Sequence, residues 1–274
     1  THRLRNSEMP DLLTAAPTGA ALTTAKDDSL GIDRAFVLQM ARMPALAVVW
    51  VAAGALAHLA WAAAFPAGTN FGPLVVICAG MVLAAFIDGW ALKVPNWVTL
   101  PLVLSGWMLG LLHDCGVPVD SGTGGFGMAV AGTFLGFGLL LPMLLIRGVG
   151  EGDVKMQMGF GAWAGAFFGT TGPAGPADLT GLHALGVVFW AFCFGAIAGG
   201  AFGLVMIVIR GKFGQNARTV AEIMGDLQLI AGGSPMEAAR RAQERRSRWV
   251  KLPYGIPLCV GFLLYLGYVL GLAG

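Results

Sequence analysis

Residues 71–91 read FGPLVVICAGMVLAAFIDGWA, a run in which Asp88 is the one charged side chain. A transmembrane helix needs about 20 mostly apolar residues, and this run supplies them. Charged residues are also few in the chain as a whole: 56% of its 274 residues are hydrophobic and 12% are charged. Soluble domains carry about 25% charged residues, so the composition excludes both a soluble globular protein and a disordered one. We therefore predict an all-α polytopic membrane protein.

Seven apolar segments predict a helical bundle of about seven transmembrane helices. A polar cytosolic tail is expected over residues 1–44, before the bundle of residues 45–273. Within the bundle, glycine pairs such as those at positions 124–125 and 199–200 favour close helix packing over the alternative, a channel lining. The predicted spans are Ala45–Phe65, Phe71–Ala91, Trp97–Leu112, Gly124–Ile146, Met156–Thr171, Leu185–Ile209 and Ile256–Ala273.

The basic residues predict how these spans are oriented. With the N-terminus in the cytosol and seven alternating spans, all 17 Lys and Arg fall on the cytosolic side. Cytosolic loops of membrane proteins carry an excess of Lys and Arg, so this partition supports the seven-span topology.

One cytosolic loop, residues 211–253, is long enough to hold structure of its own. Ala217–Ile230 has an amphipathic helical pattern, and Gly232 and Gly233 should end that helix. Ser234, Pro235 and Glu237 then form the pattern of a second helix start. Its arginines allow two readings: binding of anionic headgroups, or charges that only set the topology.

Two acidic residues are the candidates for chemistry, because carboxylates at membrane depth are costly. Asp88 and Asp153 both fall at the predicted cytosolic face. Asp88 precedes the helix-ending Pro95 by about two turns, where water should reach it. The glycines around Asp153 at positions 148, 150 and 152 permit positive φ and close backbone approach. If the two carboxylates lie together, they hold one proton between them, which is aspartic-protease chemistry.

Other chemistries find little support. The four histidines, at positions 2, 58, 113 and 183, fall away from the aspartates, and neither HExxH nor CxxC occurs. We expect no metal, no cofactor and no nucleic-acid partner. The sequence makes no prediction of the oligomeric state.

Three motifs occur in this order along the chain. Asp88 is followed by Lys93-Val94-Pro95-Asn96-Trp97 and Thr99-Leu100-Pro101-Leu102, and the other two motifs are Gly150-Glu151-Gly152-Asp153-Val154-Lys155 and Leu252-Pro253-Tyr254-Gly255-Ile256-Pro257. They resemble the first motif, the second motif and the segment that opens the last span of the type IV prepilin peptidases, a family of GxGD-type membrane aspartyl proteases. The resemblance covers about residues 72–273, the expected peptidase core.

This resemblance implies an aspartic-type endopeptidase of the bacterial inner membrane, with its active site facing the cytosol. It would remove the short basic leader from prepilins or pseudopilins of type IV pilus or type II secretion systems. Asp88 and Asp153 would be catalytic. Supporting roles are expected as follows: Gly150 and Gly152 shape the second site, Lys155 tunes the local field, and Pro95, Asn96, Pro253 and Gly255 are architectural.

The chain also departs from the family. Its first 65 residues do not match the methyltransferase part with CxxC pairs that many relatives carry, so N-methylation and S-adenosylmethionine are not implied. Trp90 stands where many relatives have a charged residue. Glu151 is either solvated or a contact for the basic leader. The alternatives are a GxGD protease of other membrane substrates, such as archaellin-type precursors or signal-peptide remnants, and a non-catalytic assembly factor or a transporter.

Overall fold

The computed structural model describes residues 34–67, 70–117, 124–146, 148–169, 183–210, 213–245 and 254–273. Within these ranges the regular secondary structure is helical, which confirms the predicted all-α class. In chain order the helices are α1 (Arg34–Ala64), α2 (Gly72–Ala91), α3 (Asn96–Asp114), α4 (Phe126–Leu145), α5 (Glu151–Phe168), α6 (Ala184–Arg210), α7 (Phe213–Ala231), α8 (Pro235–Arg245) and α9 (Gly255–Ala273).

A helix occupies each of the seven predicted spans. By length and hydropathy, four of the described helical segments can cross a membrane: Met40–Ala64, Gly72–Ala91, Phe126–Leu145 and Ala184–Val205. The apolar part of α9 is shorter, at Gly255–Tyr268. Helix α5 carries three charged residues in its first two turns. The protein is thus a helical membrane protein, and the crossing of the bilayer by α3, α5 and α9 stays a prediction.

Helix α5 forms the centre of the bundle. From Asp153 to Phe168 all but a few of its residues are buried, and it packs against α2, α3, α4, α6 and α9. Its contact with α4 is made by glycines: a Cβ at Gly161 would collide with the carbonyl of Gly132, and one at Gly165 with that of Met128. Small residues let helix backbones approach closely where lipid offers no hydrophobic drive between helices.

Two tryptophan side chains of this core donate hydrogen bonds within the bundle, as a low-dielectric surrounding favours. The indole Nε1 of Trp163 on α5 donates to the Leu102 carbonyl at 3.1 Å and to Ser105 Oγ at 3.0 Å. Trp107 Nε1 donates to Thr133 Oγ1 at 2.9 Å and joins α3 to α4. These side chains fix α3 and α4 against α5, on which one candidate aspartate lies.

Two helix boundaries differ from the sequence prediction. Helix α1 starts at Arg34 and includes Pro44, so the helix of the first predicted span begins within the predicted tail. Helix α5 starts at Glu151, five residues before the predicted span, because the charged residues of its first turn are helical as well. Residues 1–33 of the predicted tail lie outside the described residues, as does Pro253.

The loop between α6 and α9 forms the two helices that were predicted. Gly233 adopts a φ of 84° between α7 and α8, a conformation that glycine reaches without strain. Ala238 of α8 is fully buried and packs with Ile146, which follows α4. The α7–α8 pair therefore rests near the connection that leads into Asp153.

Candidate active site

Asp153 is held by the first turn of its own helix. Gly150, in an extended conformation, is the residue before α5, and its N–H donates to Asp153 Oδ2 at 3.0 Å. An acid at the third helical position satisfies a backbone donor of the helix start and is favoured by the helix dipole. The residue is 5% exposed, and its Oδ1 has no hydrogen-bond partner among the described residues.

Asp88 is held from a distant part of the chain. It lies in the last turn of α2, which ends because Leu92 adopts a left-handed conformation with φ 51°. The N–H of Gly255, at the start of α9, donates to Asp88 Oδ2 at 2.9 Å. The expectation that Asp88 stands two turns before a break and open to water is wrong: α2 ends three residues later, and Asp88 is 4% exposed.

The fold brings the two carboxyl groups into one site. The charge of Asp88 acts on the Asp153 carboxyl, and α2 packs directly against α5. The loop after α2 reinforces this contact, because Val94 is buried against Gly152. A Cβ on Gly152 would lie 2.9 Å from the Val94 Cβ and 3.0 Å from its carbonyl oxygen. Gly152 therefore allows the two aspartate-bearing segments to meet.

The other predicted supporting residues cluster around this contact. Pro95 is the residue before α3, with φ −76° and an extended ψ of 146°. Lys155 Nζ donates to Asn96 Oδ1 at 2.9 Å in an exposed position, which ties α3 to α5. Glu151 is exposed. The roles of these residues in catalysis stay predictions.

Tyr254 joins the site, although the sequence reasoning assigned it no role. It directly precedes Gly255, and its half-buried ring lies against Gly199, where a Cβ would be 3.3 Å from Cε2. Burial, and secondly the charge of Asp153, raise the pKa of the Tyr254 hydroxyl. The hydroxyl therefore stays protonated at neutral pH and can donate a hydrogen bond. Its place inside the Leu252–Pro257 motif was the signal that could have indicated it.

The arrangement is suited to proton transfer. Two buried carboxyl groups interact where α2 packs on α5, and the charge of Asp153 also acts on the Tyr254 phenol. Such groups serve as general acids and bases. Among the described residues, no group of three His, Cys, Asp or Glu lies together in a way that could hold a metal ion.

Residues 75–209 match the model of the type IV leader peptidase family. Residues 75–209 belong to that family. The matched region includes α2 to α6 and therefore both aspartates, whereas Tyr254 and Gly255 lie beyond it. No curated protein and no solved structure matches the chain. Membership identifies the protein as a membrane protease of the leader peptidase type.

Proposed function

We propose that this leader peptidase is an aspartyl endopeptidase that removes the short basic leader from type IV prepilins or pseudopilins. The observation that carries the proposal is the meeting of Asp88 and Asp153 in one buried site. They lie on different helices, and separate contacts hold the two carboxylates there. A family of leader peptidases and a pair of interacting carboxyl groups together favour aspartic chemistry.

In the proposed reaction one carboxyl group is ionised and the other protonated. The ionised carboxylate takes a proton from water, and the water oxygen attacks the scissile carbonyl carbon. The protonated carboxyl donates its proton to the carbonyl oxygen. Collapse of the tetrahedral intermediate breaks the C–N bond, and the leaving amine takes the proton that the first carboxylate received from water. The intermediate's hydroxyl returns a proton to the second carboxylate, so both groups regain their starting states. Because Asp153 Oδ2 already accepts the Gly150 N–H, the buried Oδ1, which has no hydrogen-bond partner among the described residues, is the oxygen assigned to proton transfer.

The site is proposed to face the cytosol of a bacterial cell, in the inner membrane. The support is the distribution of the 17 Lys and Arg, which the seven-span topology puts on the side of the aspartates. A basic leader is held on the same side by the same rule. Substrate and active site would then meet at one membrane surface.

Native Cys115 offers a test of this orientation, because it is exposed and follows α3 at the end remote from Asn96. A membrane-impermeant maleimide added to spheroplasts should label Cys115. The Cys115→Ser variant should lose that labelling. A cysteine introduced at exposed Lys93, in the Cys115→Ser background, should react only after permeabilisation. The reverse pattern would place the aspartates outside the cell.

Cleavage is tested with a purified prepilin whose basic leader ends in Gly, and loss of the leader is measured as a decrease in mass. Wild type is compared with Asp88→Asn and Asp153→Asn, and each should lose about 10²–10⁴-fold in rate, as for removal of an acid or base. Asp114→Asn is the matched control. Its Oδ2 accepts the Phe126 N–H at 2.9 Å, away from the site, and an amide oxygen can replace it.

Each result has a defined meaning. Full cleavage by either aspartate variant would remove that residue from the mechanism. Cleavage of an archaellin-type precursor in place of prepilin would keep the chemistry and change the substrate. If a folded wild-type protein cuts neither precursor, an assembly role replaces the proposed function.

A further inference from the structure

Two buried polar atoms, one turn apart on α5, have no hydrogen-bond partner among the described residues. They are Oδ1 of Asp153 and Nε2 of Gln157. The two residues are 5% and 2% exposed, so neither atom is open to bulk water. A buried donor or acceptor without a partner costs free energy, and native proteins contain few of them. One of these atoms accepts hydrogen bonds when the carboxyl group is ionised, and the other can only donate.

Asp153 and Gln157 share one face of α5. Residues four apart on a helix differ by about 40° around the axis, and their Cβ atoms are about 5–6 Å apart. Helical side chains lean toward the N-terminus, so the Gln157 amide leans toward the turn that carries Asp153. Glutamine and aspartate at this spacing form hydrogen bonds that stabilise helices. The unpartnered donor and the unpartnered acceptor are therefore neighbours.

This face of α5 is directed at α9. Phe160 lies on the same face and packs on Phe262 of α9, with ring centroids 3.9 Å apart. Helix α9 is also the one whose start binds the other aspartate. Lys155, in contrast, is bonded to α3 and lies about 200° around the helix axis from Asp153. The Asp153–Gln157 pair thus faces the candidate site and not α3.

The backbone of Gln157 is held in place, so any adjustment falls to its side chain. A Cβ on Gly136 of α4 would lie 2.6 Å from the Gln157 carbonyl oxygen, which shows how closely the two helices approach there. The amide stands at the end of three rotatable bonds. Rotation about these bonds brings Nε2 toward Asp153 Oδ1 without a movement of either helix.

We propose that Gln157 is a positioning residue that donates a hydrogen bond from Nε2 to Oδ1 of Asp153. With the Gly150 N–H on Oδ2, this donor holds both oxygens of the carboxylate. Each carboxylate oxygen has two lone pairs, so Oδ1 keeps one for the proton of the attacking water. The inference rests on the proposed function and deepens it, because it assigns the roles: Asp153 is the ionised base, and Asp88 is the protonated acid.

Few other groups act on the charge of Asp153. Its burial and the charge of Asp88 oppose ionisation, and Tyr254 before α9 also interacts with it. On α5 itself, Lys155 is engaged with α3 and Glu151 is exposed. Helix α4 has no titratable residue. The remaining titratable residues of the helices packed on α5 lie more than one helical turn along those helices from the residues that contact the site: Cys78, His113, Asp114, Cys193, Arg210, Cys259, Tyr265 and Tyr268.

The test replaces Gln157 by methionine, which has the same number of rotatable bonds but no donor. Gln157→Met should leave KM for prepilin unchanged and lower kcat about 3- to 10-fold at neutral pH. A donated hydrogen bond favours the ionised carboxylate, so its loss should move the acidic limb of the kcat/KM profile up by about one pH unit. An unchanged limb, or one that moves to lower pH, would overturn the proposal.

Thr99→Val is the matched control. Thr99 on α3 is fully buried, and its Oγ1 also has no hydrogen-bond partner among the described residues. Valine has the shape of threonine without the polar atom. Thr99→Val should keep the pH profile of the wild type. A shift equal to that of Gln157→Met would trace the effect to the loss of any buried polar atom and would contradict a specific bond to Asp153.

A second measurement needs no cleavage and separates this inference from the proposed function. The Gln157 donor stabilises Asp153 only in its ionised form, so the unfolding midpoint of Gln157→Met in detergent should fall relative to wild type as the pH rises from about 5 to about 9. Thr99→Val should differ from wild type by a constant amount. A pH-dependent difference without cleavage of prepilin would support the hydrogen bond and reject the proposed function. Cleavage by wild type without that difference would reject the hydrogen bond and leave the function standing.

Discussion

The two candidate catalytic aspartates are held by contacts of opposite range. Asp153 accepts the N–H of Gly150, three residues earlier, whereas Asp88 accepts the N–H of Gly255, 167 residues later. The first contact forms whenever α5 begins at Glu151. The second exists only when α9 is docked on α2. One half of the site is therefore a property of a local turn, and the other half is a property of the assembled bundle.

The long-range contact between Gly255 and Asp88 should be the easier of the two to break. A Cβ on Gly255 would lie 2.9 Å from Asp88 Oδ2 and 3.1 Å from its Cβ. We expect Gly255→Val to lower kcat/KM for precursor cleavage about 100-fold, because a displacement near 1 Å can cost that much.

Gly267→Val is the control for this change, since it lies on the same helix and a Cβ there meets nothing within 4 Å. A similar loss in both variants would trace the effect to the poor helix propensity of valine. The contact with Asp88 would then have no special role.

The two glycines around Asp153 should differ from each other. Gly152→Ala pushes a Cβ into the backbone of Val94, and we expect a loss of activity of about tenfold. Gly150 has a φ of −80° and a nearest Cβ contact of 3.2 Å, to Asp153 Oδ2. Gly150→Ala should therefore lower activity about threefold or less, because the Asp153 carboxylate has to move only slightly to make room for the new Cβ. Equal losses, measured as kcat/KM in the same preparation, would contradict the steric explanation.

Substitution of Tyr254 tests whether the segment at the start of α9 contributes a side chain to catalysis in addition to the Gly255 N–H. Tyr254→Phe should lower kcat about 3- to 10-fold, the value of a single hydrogen bond, with KM unchanged. Tyr268→Phe, at an exposed position on α9, is the matched substitution and should keep full activity. A rise in KM without a change in kcat would indicate a binding role for Tyr254 instead.

The smallest effect is expected at the exposed link between Asn96 and Lys155. Asn96→Ala removes the acceptor and should cost about 0.5–1 kcal/mol in the free energy of unfolding, with activity reduced about twofold. Asn96→Asp keeps an acceptor for Lys155 and should be near wild type. Thermal unfolding in detergent measures the difference, and equal destabilisation by both variants would dismiss the hydrogen bond as the cause.

The sequence predicted the features that depend on neighbouring residues, such as helix bounds, better than the contacts between distant parts of the chain. The helices α2, α4, α6 and α9 begin and end within two residues of the predicted spans, because their apolar runs have clear limits. The start of α5 was placed too late, since Glu151 and Asp153 were counted as outside a membrane helix. Hydropathy measures burial in lipid, whereas α5 is buried in protein.

The glycines near Asp153 show what a motif leaves open. Two properties of glycine were considered for them, positive φ and close backbone approach. The described residues with positive φ are Leu92, Gly116, Gly169 and Gly233, so the first property is not used beside Asp153. Close approach is used, by Gly152 against Val94. No local pattern names Val94 as the neighbour, because that contact depends on how α2 and α5 pack.

The hydrogen bond from Gly255 to Asp88 also has a consequence for biosynthesis. A ribosome adds about 5–20 residues per second, so Gly255 follows Asp88 by roughly ten to thirty seconds. Once Asp153 has been added, the nascent chain contains both carboxyl groups but still lacks the donor that orients Asp88. We expect a chain arrested before Gly255 to be inserted but inactive, so that proteolysis begins only after α9 has been synthesised.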